Sequence, residues 1–133
     1  MIVKKILALF AALVVTFVVI SVFQLIGQMI FPSPHEMDWS DIMQSLKLAA
    51  ASMPVGALIL AVVGHALGSL AGGMTLGRIL KDDTMNVGMT LGAILTAIGM
   101  ANMVTLPHPE WFYVDLLAYL PPAIFGANYT SQL

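Results

Sequence analysis

Long apolar stretches separated by short polar breaks are the dominant pattern of this chain. Between Lys47 and Arg78 there are thirty consecutive residues with no acidic or cationic side chain except His65. About 20 apolar residues are enough to cross the roughly 30 Å hydrocarbon layer of a bilayer. The pattern therefore predicts a membrane-spanning helix in this part of the chain.

Polar and proline-bearing breaks divide the chain into four apolar segments of a single membrane domain, residues 1–133. We predict helices over residues 6–30, 42–80, 85–105 and 110–128. Proline removes a backbone donor and stops a regular helix, so Pro54 predicts a kink within the second segment. Residues 41–50 would then lie along the membrane interface before the helix turns inward. The predicted fold is all-α, an integral membrane bundle of four transmembrane helices.

The composition agrees with a membrane location and narrows the range of functions. Hydrophobic residues make up 59% of the 133 residues and charged residues 9%, against roughly a quarter charged in soluble domains. There is no cysteine, which excludes a disulfide framework and a thiolate site. The formal charge of −2 predicts no nucleic-acid partner. The bilayer itself is the first expected partner.

The distribution of charge predicts how the chain is oriented. The first apolar run is too long for the apolar part of a signal peptide, roughly 7 to 15 residues, so we expect a retained helix. In a four-pass arrangement one side carries the cations Lys4, Lys5, Arg78 and Lys81, and the other carries Glu36, Asp38, Asp41 and Glu110. Only Lys47 is a cation on the acidic side. Because cationic loops stay in the cytoplasm, both termini are predicted to be cytoplasmic.

Small residues recur at helical spacing in the second and third segments. They form one stripe of Gly64, Gly68 and Gly72 and a second of Gly88, Gly92, Thr96 and Gly99. Small residues four apart let helix backbones approach closely in a membrane. We expect the two segments, which a tight turn joins, to pack together along these stripes. The alternative is that one stripe faces outward and makes an oligomer.

His65 is the first polar candidate, because a polar side chain within a membrane segment is costly unless it is paired or lines a cavity. It lies at the edge of the first glycine stripe, and the antiparallel arrangement places it near Thr96 or Asn102. One interpretation is a hydrogen bond that holds two helices together. The other is a proton or ligand site.

The remaining polar candidates gather toward the predicted outer face. They are Gln24, Gln28, Lys47, Asn102, Asp115 and Tyr119. If they face inward they form a polar vestibule open to the outside, in which Lys47 can pair with Asp115. If they lie at headgroup depth, they reach water at little cost. Asp115 stands out among them, because its carboxyl group lies about a turn and a half into its segment.

No motif indicates catalysis or a bound cofactor. A nucleophile elbow, a phosphate loop and a paired-carboxylate site are all missing from the sequence. Ten methionines suggest copper, but Met100 and Met103 make the only Met-x-x-Met, so packing is the better explanation. We expect no enzyme activity, no cofactor and no metal.

Three stretches carry a resemblance to known proteins: Met53–Leu58, Leu67–Gly73 and Leu106–Phe112. On these the chain resembles a group of small bacterial four-helix membrane proteins that have no assigned activity. The resemblance extends over nearly the whole chain. It implies a bacterial inner (cytoplasmic) membrane location and assigns no functional residue.

Two functions and a third possibility follow from these features. The first is a non-catalytic accessory or self-associating subunit that acts through helix packing, as a homo-oligomer or within a larger membrane complex. The alternative is a small oligomeric transporter or channel that uses the polar outer vestibule. A lipid-binding protein is the third, and it predicts a lateral groove near Pro54.

Overall fold

The computed structural model describes residues 2–34 and 36–133, which form helices and no strand. The α-helices are α1 (Ile2–Ile30), α2 (Ile42–Ala51), α3 (Val55–Ile79), α4 (Thr84–Thr105) and α5 (Leu120–Ser131), and a 3₁₀ helix (Glu110–Ala118) precedes α5. Within the described residues, α1, α3 and α4 are long and apolar enough to span a membrane. The all-α class is therefore confirmed, and the length and composition of these three helices indicate a membrane protein.

The predicted helix over residues 42–80 is two helices. Ser52 ends α2, and Pro54 has an extended backbone, with φ −61° and ψ 149°. A proline nitrogen cannot donate to the preceding turn, so the helix stops and restarts one residue later. The carbonyl of Pro54 accepts the first hydrogen bond of α3, from Leu58 at 3.1 Å. The expected kink is thus a complete break.

The predicted helix over residues 110–128 also differs from a regular α-helix. It consists of the 3₁₀ helix and α5, which meet at Tyr119. Pro121 and Pro122 have no N–H to donate to the carbonyls four residues earlier, so an α-helix cannot continue through them. A 3₁₀ helix has three residues per turn, and its buried residues accordingly recur every third position, at Phe112, Asp115 and Ala118.

The helix α3 is central, with α1 on one side and α5 on another. A Cβ added at Gly68 would meet Ile20 and the Thr16 carbonyl of α1, and one at Gly73 would meet the Ala123 carbonyl of α5. Because these glycines have no side chain, both α1 and α5 can approach the backbone of α3 closely.

The expected pairing of the two glycine stripes with each other is wrong. Gly64 faces Phe23, and Gly72 faces Ala12 and Thr16, so the first stripe packs mainly on α1. The second stripe packs on the final segment, where Gly88 faces Ala127, Gly92 faces Leu120 and Gly99 faces Tyr119. The direct α3–α4 contact is minor. Both stripes are thus covered by helices of the same chain.

Two contacts bring the ends of the described chain to one end of the bundle. Lys5 Nζ lies 2.6 Å from Asp83 Oδ2, which joins the start of α1 to the turn between α3 and α4. Thr130 Oγ1 donates to the Met74 carbonyl at 2.9 Å, which places the end of α5 beside the end of α3. The start of α1, the turn between α3 and α4 and the end of α5 therefore lie at the same end, and we call it the basic end because it includes Lys4, Lys5 and Lys81.

Candidate functional site

Three buried polar side chains, His65, Asp115 and Tyr119, bond to one another inside the bundle. His65 Nδ1 lies 2.6 Å from Asp115 Oδ1, and the Tyr119 hydroxyl donates to Asp115 Oδ2 at 2.8 Å. The hydroxyl also lies 3.1 Å from His65 Nδ1. The exposed fractions are 8%, 2% and 5% for His65, Asp115 and Tyr119. We call these three residues the buried cluster.

Local structure explains why the three side chains converge. His65 lies near the middle of α3, in a helix whose Ser69 hydroxyl donates to the His65 carbonyl at 2.7 Å. Asp115 lies in line with Phe112 and Ala118 on the buried face of the 3₁₀ helix. Tyr119 stands at the junction with α5, on the same side of the segment as Asp115. The cluster therefore ties α3 to the final segment.

Hydrogen-bond accounting assigns a role to each atom. When the Asp115 carboxylate is ionised it only accepts, and its two donors are then the Nδ1–H of His65 and the Tyr119 hydroxyl. Each carboxylate oxygen then has one donor, which satisfies a group that would be costly to bury unpaired. The other ring nitrogen of His65, Nε2, has no hydrogen-bond partner among the described residues.

Gly99 provides the space for Tyr119. A Cβ at Gly99 would stand 2.7 Å from Cε2 of the tyrosine ring, closer than carbon atoms approach in folded proteins. The ring can pack this closely against α4 only because this position has no side chain. The glycine of the second stripe thus positions a member of the buried cluster.

A cavity of about 340 Å³ lies beside the buried cluster. Its lining combines apolar and polar side chains from four parts of the chain: Phe17, Ile20, Ser21, Gln24, His65, Leu95, Ile98, Gly99, Asn102 and Tyr119. Asp115 lies behind His65 and Tyr119 and does not line it. The structure thus brings Gln24, Asn102, His65 and Tyr119 of the predicted polar group together at one cavity, with Asp115 next to them.

Other members of the predicted group lie elsewhere. Lys47 is exposed on α2 and makes no ion pair with Asp115, whose hydrogen-bond partners are His65 and Tyr119. Gln28 is exposed near the end of α1 and is not part of the cavity lining. Thr96 bonds within its own helix, donating to the Gly92 carbonyl at 2.7 Å. The expected pairing of Lys47 with Asp115 is therefore wrong, because the break before α3 places Lys47 on a separate, exposed helix.

Some features of the site were missed by sequence reasoning. Phe17, Ile20 and Ser21 of α1 line the cavity beside Gln24. The bond between His65 and Asp115 joins residues fifty positions apart, and sequence spacing alone gives no signal for it. The sequence did contain a signal for the orientation of Asp115. Phe112, Asp115 and Ala118 are spaced by three, which is the spacing of residues on one face of a 3₁₀ helix.

The rest of the described chain offers less chemistry. A larger groove, about 560 Å³, lies on the outer face of α5, but none of its lining residues is buried. The described residues contain no group of three histidine or carboxylate side chains that could hold a metal ion. The buried cluster and its cavity are therefore the candidate site.

Comparison with protein-family models, with curated proteins and with solved structures found no match.

Proposed function

We propose that this chain is a non-catalytic subunit of the membrane that acts by helix packing, through self-association or within a larger complex. One observation carries this proposal. On α4 a stripe of small residues is exposed on the face opposite the packed glycines and is made of Thr90, Ala93, Ala97 and Ala101. Because the glycine stripes are used within the chain, this exposed stripe is a small-residue surface that another helix can contact.

The spacing of the exposed stripe suits close contact between helices. Ala93, Ala97 and Ala101 are four apart, so they lie along one side of α4 over slightly more than two turns. The residue types match those enriched where membrane helices touch, since each loses little side-chain entropy and allows the backbones to approach. Leu95 and Gly99, which alternate with them along the helix, are buried on the other side.

We also propose that the final segment is a fourth membrane crossing. Nine residues of 3₁₀ helix rise about 18 Å at 2.0 Å each, and the twelve residues of α5 rise about 18 Å at 1.5 Å each. The sum of about 36 Å exceeds the roughly 30 Å hydrocarbon layer. With four crossings and the basic end in the cytoplasm, both termini are cytoplasmic. The resemblance noted above favours a bacterial inner membrane.

Copurification tests the packing proposal. Two copies of the full chain with different tags are expressed together, extracted in mild detergent and captured through one tag, and both the second tag and any larger complex are measured. Ala97→Leu should reduce the captured partner on the order of tenfold, because overpacking a helix contact costs about 1 to 3 kcal/mol. Met100→Leu, at another exposed position of α4, is the matched control. Equal capture by Ala97→Leu and Met100→Leu would exclude this surface.

Cysteine labelling tests the topology, because the chain has no cysteine of its own. Ser40→Cys should react with an impermeant thiol reagent added outside intact cells. Gln132→Cys should react only after the cells are opened. External labelling of Gln132→Cys would contradict an even number of crossings.

A second candidate function, a small oligomeric transporter or channel, is favoured by one observation. The cavity carries Ser21, Gln24, Asn102 and His65 side chains next to a buried carboxylate. Ionisable residues inside membrane proteins often mark ion or substrate pathways. Flux of a cation or proton into vesicles containing the purified protein, abolished by Asp115→Asn in a folded and assembled variant, would support this function over the first.

A further inference from the structure

The cavity beside the buried cluster is the bottom of a cleft between α1 and α4. These two helices make little contact with each other, and each contributes one wall. At the mouth Phe17 is 44% exposed and Ile98 is 46% exposed, whereas His65 and Leu95 at the bottom are 8% and 2% exposed. The cleft, which we call the α1–α4 cleft, therefore opens sideways from the bundle.

The opening faces lipid if the bundle spans a bilayer as proposed above. Phe17 and Ile98 lie well inside α1 and α4, which are long and apolar enough to cross the membrane. Phe17 is thirteen residues from the end of α1, or about 20 Å at 1.5 Å per residue. A molecule that enters between these side chains comes from the hydrocarbon layer.

The two ends of the α1–α4 cleft differ in polarity. Gln24 and Asn102 lie toward the end opposite the basic end, six and three residues before the ends of α1 and α4. Phe17, Leu95 and Ile98 line the part nearer the middle of the bundle. The lining therefore matches an amphiphile, with its polar head beside the amides and its apolar part beside Phe17.

His65 supplies the group that would select the head. Its Nδ1 is bonded in the buried cluster, and Nε2 has no partner among the described residues although the side chain is nine-tenths buried. Nε2 accepts a hydrogen bond in the neutral ring and donates one in the protonated ring. A hydroxyl group can both donate and accept, so it pairs with His65 in either state.

We propose that the α1–α4 cleft binds a membrane-soluble amphiphile whose small head carries a hydroxyl group bonded to Nε2 of His65. The volume of about 340 Å³ lies within the range of small-molecule sites, roughly 300 to 1,000 Å³. It suits one ring with a short alkyl chain. This ligand site differs from the groove expected near Pro54, which does not line the cleft.

Matched probes test the proposal on the full chain in lipid nanodiscs. The probes are 4-hexylphenol, hexylbenzene without the hydroxyl, and phenol without the alkyl chain. Histidine labelled with ¹⁵N reports the ring by NMR, in a chain carrying His35→Gln and His108→Gln so that His65 gives the only signal. We expect 4-hexylphenol to shift the His65 signals in a saturable way, hexylbenzene to leave them unchanged, and phenol to need at least tenfold more probe.

Each other result would overturn the proposal. If 4-hexylphenol does not move the His65 signals, the site is excluded. Equal shifts with hexylbenzene exclude recognition of the hydroxyl group. Equal affinity for phenol and 4-hexylphenol excludes a membrane-soluble ligand. Ile98→Trp narrows the mouth without touching the buried cluster, so it should weaken 4-hexylphenol binding at least tenfold. Met100→Trp, on α4 but outside the cleft, should bind normally. Equal binding by Ile98→Trp and Met100→Trp would exclude entry through the cleft.

Discussion

Removing one member of the buried cluster at a time should give unequal losses of stability. His65→Leu leaves the Asp115 carboxylate, which is 2% exposed, with Tyr119 as its remaining hydrogen-bond donor. Removing one hydrogen-bond partner of a buried polar group costs about 1 to 3 kcal/mol, and an ionised carboxylate lies at or above the top of that range, about 3 kcal/mol. We expect a loss in this range for His65→Leu.

Asp115→Leu should cost less, because no charge is left behind. The Tyr119 hydroxyl already lies 3.1 Å from His65 Nδ1 and can donate to it when the ring carries its proton on Nε2. Part of the network is therefore restored, and the loss should be about 1 to 2 kcal/mol, the cost of an unmade buried hydrogen bond. The double variant should lose less than the sum of the single losses, with a coupling energy of about 2 to 3 kcal/mol.

Reversible unfolding in mixed micelles measures these free energies. Lys47→Met is the control, since Lys47 is exposed and does not contact Asp115. As a single substitution, Lys47→Met should leave the free energy of unfolding unchanged. Combined with His65→Leu, it should not restore the lost stability. Additive losses for His65→Leu and Asp115→Leu, or a rescue by Lys47→Met, would show that the cluster does not hold α3 to the final segment as described.

Two further predictions concern packing and pH. Gly73→Ala would place a Cβ against the Ala123 carbonyl, so the free energy of unfolding should fall by about 1 to 3 kcal/mol. Gly27→Ala is the control: its Cβ would have no atom nearer than 3.8 Å, so the free energy of unfolding should be unchanged or rise by up to about 1 kcal/mol. Similar losses in the two variants would contradict this reasoning. The hydrogen bond from Lys5 lowers the pKa of Asp83, so its stabilisation is present above the ordinary carboxyl pKa and is lost as pH falls through the lowered value. Thermal unfolding from about pH 6 to pH 3 should show a smaller acid loss in Lys5→Met, and an unchanged acid loss would refute it.

Much of the fold can be predicted from the sequence because membrane helices need long apolar runs and prolines interrupt them. The positions of α1, α3 and α4 follow from that requirement. The choice of packing partner does not follow from it. A glycine stripe shows that one face of a helix carries small residues and can pack closely. Which helix packs on that face depends on the arrangement of the whole bundle. The stripe of α4 therefore faces α5, although α3 is its neighbour in sequence.

The sequence predicted which polar residues belong to the candidate site, but only some of the contacts between them. The grouping of Gln24, Asn102, His65 and Tyr119 follows from the cost of placing polar side chains in lipid, which favours bringing them together. Charge alone suggested Lys47 as the partner of Asp115. Pro54 predicts a kink in the second segment, but the sequence could not show that the chain breaks there completely and leaves Lys47 exposed and away from Asp115.

The difference between a lysine and a histidine partner changes what the site can do. A lysine beside Asp115 would form an ion pair whose charges stay fixed at neutral pH. His65 instead shares a hydrogen bond with Asp115 through Nδ1, while its side chain lines the cavity and its Nε2 has no hydrogen-bond partner among the described residues. Because the two nitrogens belong to one ring, the hydrogen bond to Asp115 sets the proton position on the side that a ligand would meet. The 3₁₀ helix that aligns Asp115 with Phe112 and Ala118 thus places the carboxylate that occupies Nδ1 of His65, and it leaves Nε2 as the ring nitrogen available to a ligand.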